Sequence, residues 1–378
     1  MTVITAGVTP TMPVVQPRLH LPSPRTLSPG CPAIFIHSDG VEDRARAVAS
    51  LCTDEGIGAV HVVGVRDANK IHRMRRLVEL HRESGGRVEH VLFDAARYSG
   101  KNRTSGPADL DPSWVQAQLE AGVSQAMTDS PFVPEDDFDT VWSILSQTKA
   151  MGVPAIAVLP IHLSLVRKHS ARLLELINKA GVPVAIMLEH AKDPLGVKAA
   201  VQGLVQVLSA EPKVLLLRTD LSAIGAVAWG ASVGAIGTSP GRRHIFPPPT
   251  TVIRTARHIS LFVPKAMSYR KIATLNLAIT RAPEHSEWWT CDCSYCHGRQ
   301  LSWIATAEEA YLHSVASIAD TADEVLGNAA TLPERRRSWI AHCDYSQNVN
   351  LEIEAVLGGG WPCPDLLGAW RQAMTPNA

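Results

Sequence analysis

The chain has 378 residues, of which 46% are hydrophobic and 19% are charged, as is typical of a soluble globular protein with a large core. Lys plus Arg and Asp plus Glu both number 36, so the formal net charge is zero and any nucleic-acid binding would need local basic patches. Seven cysteines without a signal-peptide pattern predict a reducing, cytoplasmic location. No stretch is long and apolar enough to predict a membrane span.

The first part of the chain predicts an arm followed by a barrel. Residues 1–30 are rich in Pro and Thr and predict an extended arm. From residue 33 onward, short apolar runs alternate with amphipathic segments, which predicts a parallel sheet covered by helices. Eight such runs within 31–250 match a (β/α)8 TIM barrel, with an open doubly wound sheet as the alternative. The runs are 33–37, 59–63, 88–93, 123–128, 155–159, 182–188, 214–217 and 232–236.

Three thiols lie within six residues, at Cys291, Cys293 and Cys296, in the pattern Cys-x-Cys-x-x-Cys. Thiolates are soft ligands that suit zinc, and a tight loop can direct three of them to one tetrahedral centre. Without a secretory signal, a metal is favoured over a disulfide with a spare thiol. We therefore interpret 251–378 as a zinc-binding subdomain packed on the barrel, with Zn²⁺ in a structural role and a fourth ligand from elsewhere in the chain.

Carboxylates follow four of the predicted strands. Asp94 follows the third strand, Asp129 the fourth, Glu189 the sixth and Asp220 the seventh. Active sites of TIM barrels lie at the carboxyl ends of the strands, so these groups are predicted to surround one mouth. Neighbouring carboxylates separate each other's pKa values, which suits acid–base and nucleophilic roles. The structural alternative is that each Asp caps the helix that follows it.

The loop after the eighth strand reads Gly-Thr-Ser-Pro-Gly-Arg-Arg-His and contains Arg242 and Arg243. Backbone N–H groups and two guanidinium groups could bind a phosphate there. A solvated basic turn would explain the same residues. We predict that Glu189, Arg242 and Arg243 bind substrate.

A Cys-x-Cys-x-x-Cys loop placed late in a barrel with Asp94 and Asp220 at strand ends resembles the tRNA-guanine transglycosylase superfamily. The resemblance covers about residues 33–350 and implies that Asp220 is the nucleophile on ribose C1′. It also implies that Asp94 is the general acid and base and that Asp129 recognises the purine. The family's Asp-Ser-Gly-Gly-Phe motif is absent, since Asp94-Ala-Ala-Arg stands at that place.

The resemblance also implies a zinc-binding His downstream of the cysteines. Two histidines are candidates, and the sequence context around His342, in Trp339-Ile-Ala-His342, favours it over His313. His297 and Cys343 are the remaining alternatives.

The divergence from the tRNA enzymes, together with the lack of a following RNA-binding domain, is similar to the branch that acts on DNA. That branch replaces guanine in DNA with a 7-deazaguanine such as preQ0. We therefore expect DNA and a 7-deazaguanine base as partners, with an accessory protein that opens the duplex and a homodimer as open possibilities. The alternatives are a tRNA-guanine transglycosylase of divergent sequence and a non-catalytic, zinc-stabilised barrel that binds nucleic acid.

Overall fold

A computed structural model describes residues 33–100, 103–248, 258–327 and 329–374. The arm predicted at residues 1–30 lies outside the described residues. Among the helices of the described ranges, none combines the length and the apolar character needed to cross a bilayer.

Eight parallel strands form a nearly closed barrel. Their hydrogen-bonded order is β3-β2-β1-β8-β7-β6-β5-β4, and the end strands β3 and β4 contact each other. The predicted TIM barrel is therefore confirmed, and the open doubly wound alternative is wrong. The strands are β1 (Ile34–Ser38), β2 (Gly58–Val62), β3 (Val91–Asp94), β4 (Ala126–Met127), β5 (Ala155–His162), β6 (Val184–Glu189), β7 (Val214–Thr219) and β8 (Val233–Gly237).

Helices connect successive strands around the barrel, as the amphipathic segments predicted. Residues Lys70–Glu83 form a single helix, whereas the stretch from residue 164 to residue 180 is divided into two helices, because His169 adopts a non-helical conformation with φ −129°. The helices are α1 (Glu42–Asp54), α2 (Lys70–Glu83), α3 (Pro112–Ala121), α4 (Phe138–Ala150), α5 (Ser164–Arg167), α6 (Ser170–Ala180), α7 (Lys198–Val207) and α8 (Ser222–Ala228).

Alternate residues of the strands fill the barrel interior. Phe35, Val60, Leu92 and Leu217 belong to one buried cluster there, while the intervening residues face the helices. Ile245, from the loop after β8, belongs to the same interior cluster and is fully buried. The interior is therefore a packed core, and a functional site is expected at the mouth of the barrel.

The region after the barrel begins with a two-stranded hairpin and ends with three helices. Its strands are β9 (Ser260–Val263), β10 (Ser268–Lys271), β11 (Thr290–Cys291) and β12 (Arg299–Gln300), and its helices are α9 (Ile272–Arg281), α10 (Ser286–Trp289), α11 (Ala307–Leu326), α12 (Leu332–Leu357) and α13 (Asp365–Met374).

The last two helices pack directly on the barrel helices. Helix α12 contacts α8, and α13 contacts α7 and α12. The Trp370 ring lies 5.8 Å from that of Trp339 and 5.2 Å from that of Trp229, and its indole N–H donates to Ser222 Oγ at 3.0 Å. The appended region thus shares one hydrophobic core with the barrel.

Candidate metal centre and barrel mouth

The three cysteines lie on a tight hairpin between β11 and β12. The backbone N–H groups of Cys296 and His297 both donate to Cys293 O at 3.0 Å, and Gly298 N donates to Cys291 O at 3.0 Å. His297 and Gly298 adopt left-handed conformations, with φ +52° and +79°, which close the turn. This geometry directs the three buried thiols to one side of the hairpin.

His313, on the first half of α11, completes the cluster. Its Nδ1 lies 3.1 Å from Cys296 Sγ and 3.7 Å from Cys293 Sγ, and the four ligand atoms lie within 4.8 Å of one another. A tetrahedral zinc site with ordinary bond lengths needs ligand separations of about 3.5–3.8 Å. The residues therefore fit a bound metal ion, and a Cys3His donor set suits zinc.

The other ring nitrogen of His313 supports the same assignment. His313 Nε2 lies 2.7 Å from Phe262 O, the carbonyl of a residue in β9. A carbonyl can only accept, so Nε2 carries the proton and Nδ1 keeps its lone pair for a metal. The hairpin of β9 and β10 thus orients the ligand from the second side.

His342, which the sequence favoured as fourth ligand, makes other contacts. On α12, its Nδ1 donates to Ser338 O at 2.8 Å, and its Nε2 lies 3.6 Å from a carboxylate oxygen of Glu324. The hydrogen bond to Glu324 raises the pKa of His342. The prediction of His342 is therefore corrected to His313, because α11 rather than α12 presents a histidine to the thiols. His297 is exposed, and Cys343 is buried in the core shared with the barrel.

At the barrel mouth, Asp94 is buried at the end of β3 within a network of polar side chains. His37 Nε2 lies 3.0 Å from Asp94 Oδ2, and the Tyr98 hydroxyl donates to the same oxygen at 2.6 Å. The backbone N–H of Ala96 donates to Asp94 Oδ1 at 2.8 Å. Arg218 Nη1 then donates to the Tyr98 hydroxyl at 3.1 Å. The carboxylate is therefore surrounded by three donors, two of them on the same oxygen.

These donors decide the charge of Asp94. Burial alone would raise its pKa, but His37, the Arg218 charge and the Tyr98 hydroxyl outweigh burial and lower the pKa of Asp94 to about 2. Burial lowers the pKa of His37, so a neutral imidazole donates Nε2–H to the carboxylate at neutral pH. Asp94 is consequently ionised at neutral pH, with Arg218 as the nearby counter-charge.

Arg218 also holds the loop after β8 across the mouth. It donates to Gly241 O at 2.8 Å and to His244 O at 3.3 Å, and Ile245 N donates to Leu188 O at 2.9 Å. Arg218 itself adopts a left-handed conformation with φ +51°, at a register shift in the pairing of β7 with β8. A strained, buried arginine at a strand end is typical of a functional site.

The carboxylates after β4 and β6 are also paired with arginines. Asp129 accepts from Arg97 Nη1 at 2.9 Å and from the backbone N–H of Asp111 at 2.9 Å. Burial raises the pKa of Asp129 despite these two donors. Glu189 forms an ion pair with Arg103, whose guanidinium lies 3.5 Å above the Phe132 ring.

Asp220 lies in a different cavity, between β7 and the appended region. Arg243, Tyr269 and Arg270 line this cavity with it, and Asp94 does not. The Asp220 carboxylate accepts from the backbone N–H of Leu221 at 2.9 Å, and Arg243 lies 3.2 Å above the Tyr269 ring. Asp220 and Arg243 therefore line the same cavity. Arg242 instead lies close enough to Asp94 for the two charges to interact.

Sequence reasoning missed the partners that control these carboxylates. His37 ends the first strand and could have been found by the rule that located Asp94, because both are polar residues at strand ends. Arg218 directly follows the apolar run 214–217 and could have been found by the same rule. Tyr98, Arg97 and Arg103 lie in the loop after β3, where no local pattern marks them.

No family model matches the chain, and no curated protein sequence matches it. Among solved structures, tryptophan synthase alpha-subunit from Pyrococcus furiosus aligns at 10% identity and TM-score 0.34, over 58% of this chain and 88% of that chain. A probable tagatose 6 phosphate kinase from Sinorhizobium meliloti 1021 aligns at 12% identity and TM-score 0.35, over 90% of this chain and 97% of that chain. Pyruvate carboxylase from Rhizobium etli aligns at 11% identity and TM-score 0.33, over 77% of this chain and 28% of that chain. Similarity this distant carries no information about function, so any functional argument must rest on the side chains of the site.

Proposed function

We propose that the protein is a base-exchange transglycosylase that replaces guanine in DNA with a 7-deazaguanine, through a covalent bond between an aspartate and ribose C1′. The observation that carries the proposal is the buried Asp94, held ionised at the mouth of a TIM barrel by His37, Tyr98 and Arg218. The Cys-x-Cys-x-x-Cys loop with His313, placed after the barrel, agrees with the same resemblance. Zinc would stabilise the appended region rather than take part in the reaction.

The proposed chemistry assigns one task to each carboxylate. Asp220 would attack C1′ and displace guanine, which would take a proton from solvent as the C1′–N9 bond breaks, as in the first half of a retaining glycosidase reaction. Asp94 would then act as the base that removes a proton from the incoming 7-deazaguanine, because an ionised carboxylate can accept a proton. Its low pKa argues against the acid half of the role expected from the sequence. Asp129 would recognise the purine by hydrogen bonding to it. Glu189 would do the same once its ion pair with Arg103 is broken.

Base exchange by the purified protein tests the proposal. Wild-type protein should incorporate isotopically labelled guanine into duplex or single-stranded DNA, and D220N and D94N should each lose most of this activity, with D220N keeping the wild-type thermal midpoint. Denaturing electrophoresis with labelled DNA should show a covalent adduct for wild type and none for D220N. Full exchange by D220N would overturn the assignment of the nucleophile. Exchange into tRNA but not DNA would support the tRNA alternative.

A second candidate is a non-catalytic barrel that binds nucleic acid. The observation that favours it is the separation of the two catalytic candidates: Asp94 lies buried beneath the loop after β8, whereas Asp220 lines another cavity. For such a protein, wild type would bind nucleic acid and show no exchange under any condition.

A further inference from the structure

The appended region contains a cavity of its own, with a volume of about 290 Å³, between the cysteine hairpin, α11 and α12. Cys291 and Cys293 form part of its wall, and the turn between β9 and β10 lines another side. It shares no lining residue with the cavity that contains Asp220. A cavity of this size lies at the lower end of the range for ligand sites, so it suits a small metabolite.

One polar face of α11 lines this cavity. Four of its residues do so at spacings of i, i+3, i+4 and i+7, which places them on one side of the helix: Ser317, Asp320, Thr321 and Glu324. On the opposite wall, His342 of α12 has its Nε2 3.6 Å from a carboxylate oxygen of Glu324. Glu324 is therefore already engaged by a residue of the cavity wall.

Two half-buried charges of opposite sign in the same wall have no such partner. The side chains of Lys265 and Asp320 form neither an ion pair nor a hydrogen bond with any other residue that the structure describes. Lys265 lies close enough to Glu324 and His342 for its charge to act on both, but those two residues pair with each other. Two unpaired charges that line one cavity without contacting each other are complementary to a ligand that carries both charges.

A buried hydroxyl in the cavity also lacks a partner. Ser346 of α12 is 2% exposed, and within the described ranges its hydroxyl forms no hydrogen bond. By contrast, Ser314, Ser317 and Thr321 of α11 donate to the carbonyl four residues earlier, at 2.6, 2.7 and 2.8 Å. Buried polar groups are rarely left unpaired, so the Ser346 hydroxyl indicates a polar ligand atom in the cavity.

We infer that this cavity binds a free α-amino acid, with the ligand ammonium on Asp320, the ligand carboxylate on Lys265 and a hydrogen bond to the Ser346 hydroxyl. An amine without a carboxylate would leave Lys265 unpaired, and a carboxylate without an amine would leave Asp320 unpaired. A zwitterion satisfies both charges and the hydroxyl together. The site lies outside the barrel mouth, and the inference does not depend on the proposed function.

Isothermal titration calorimetry of the zinc-loaded full chain with each standard amino acid tests the site. The amino acid that binds most tightly is then compared with the amine that lacks its carboxyl group and with the acid that lacks its amino group. Both analogues should bind about tenfold or more weakly, because each loses one charge-assisted contact. D320N and K265M should each weaken binding of the amino acid by about tenfold or more, and S346A by about threefold or more.

Two matched variants serve as controls. Asp323 is exposed on α11, Lys271 is exposed at the end of β10, and neither lines the cavity. D323N and K271M should therefore keep the wild-type affinity for the amino acid. Zinc content and thermal midpoint, measured for every variant, check that the fold is retained.

The outcomes decide the ligand class. Absence of binding by all the standard amino acids would overturn the inference, as would equal affinity of the wild type for the amino acid and its amine. Unchanged affinity in both D320N and K265M would also overturn it, because the ligand would then lie elsewhere. None of these variants alters Asp220 or Asp94, so the result is independent of the outcome for base exchange.

Discussion

Nδ1 of His313 lies 3.1 Å from Sγ of Cys296, although 17 residues separate them along the chain. We expect H313A to lose about one equivalent of zinc per chain, because the fourth donor of the tetrahedron is removed. H342A should keep its zinc, because His342 contacts Ser338 and Glu324 instead. Metal analysis of both variants after gel filtration measures this. Loss of zinc from H342A with retention by H313A would reverse the assignment.

Removal of the metal should destabilise the barrel as well as the hairpin. Ser294, between two cysteines, donates a hydrogen bond to Glu55, which follows α1 of the barrel. Structural zinc contributes directly to folding free energy, so a strong chelator should lower the thermal midpoint by about 5 °C or more. Re-addition of zinc should restore it. C293S should already show the lower midpoint and no further response to chelator; an unchanged midpoint in both experiments would contradict a structural metal.

The ionised state of Asp94 gives the protein a defined response to acid. Because the pKa of Asp94 is lowered to about 2 in the folded state, its contribution is fully present above the unfolded pKa of about 4 and is lost as the pH falls toward 2. D94N should therefore lose less free energy of unfolding than wild type between about pH 4 and pH 2, by roughly 2 kcal/mol. Denaturant titrations across this range measure the difference. Parallel pH profiles for the two proteins would show that Asp94 is not held ionised.

Arg218 should matter more to stability than the hydroxyl it contacts. R218M would leave the buried Asp94 charge without its cationic neighbour and free the carbonyls of Gly241 and His244, which should cost about 3–5 kcal/mol. Y98F removes only one hydroxyl and should cost about 1–3 kcal/mol. Urea unfolding of both variants gives the comparison. A smaller cost for R218M than for Y98F would contradict the network described for the mouth.

Close packing between α5 and α7 explains one glycine. A Cβ added at Gly203 would overlap the backbone carbonyl of Val166, whereas a Cβ added at Gly64 would meet nothing within 4 Å. G203A should destabilise the protein by more than about 2 kcal/mol, and G64A should change stability by less than about 0.5 kcal/mol. Thermal unfolding of the pair tests the packing of these helices. A neutral G203A would show that α7 can move away from α5.

The fold could be predicted because its signal is local and repeated. Each strand is an apolar run of a few residues. Strands β5 and β6 are almost entirely buried on both faces, so nearly every residue in them must be apolar, and this makes the runs easy to recognise in the sequence. The thiol positions could be predicted for the same reason, since all three lie within one hairpin.

The fourth ligand and the charge network depend on contacts between distant segments. His313 and His342 both lie on long helices, and only the packing of α11 against β9 decides between them. In the same way, Arg218 reaches Tyr98 from 120 residues away. Such pairings follow from the packing of distant segments and cannot be read from spacing along the chain.

Nucleoside mass spectrometry on DNA and tRNA, from cells with the gene and cells lacking it, tests base exchange most directly. We expect a 7-deazaguanine nucleoside in the DNA of the first and its loss from the DNA of the second, with tRNA unchanged. The wild-type gene should restore it, and a gene encoding D220N should not. Identical nucleoside profiles in both polymers, with and without the gene, would contradict the proposed exchange.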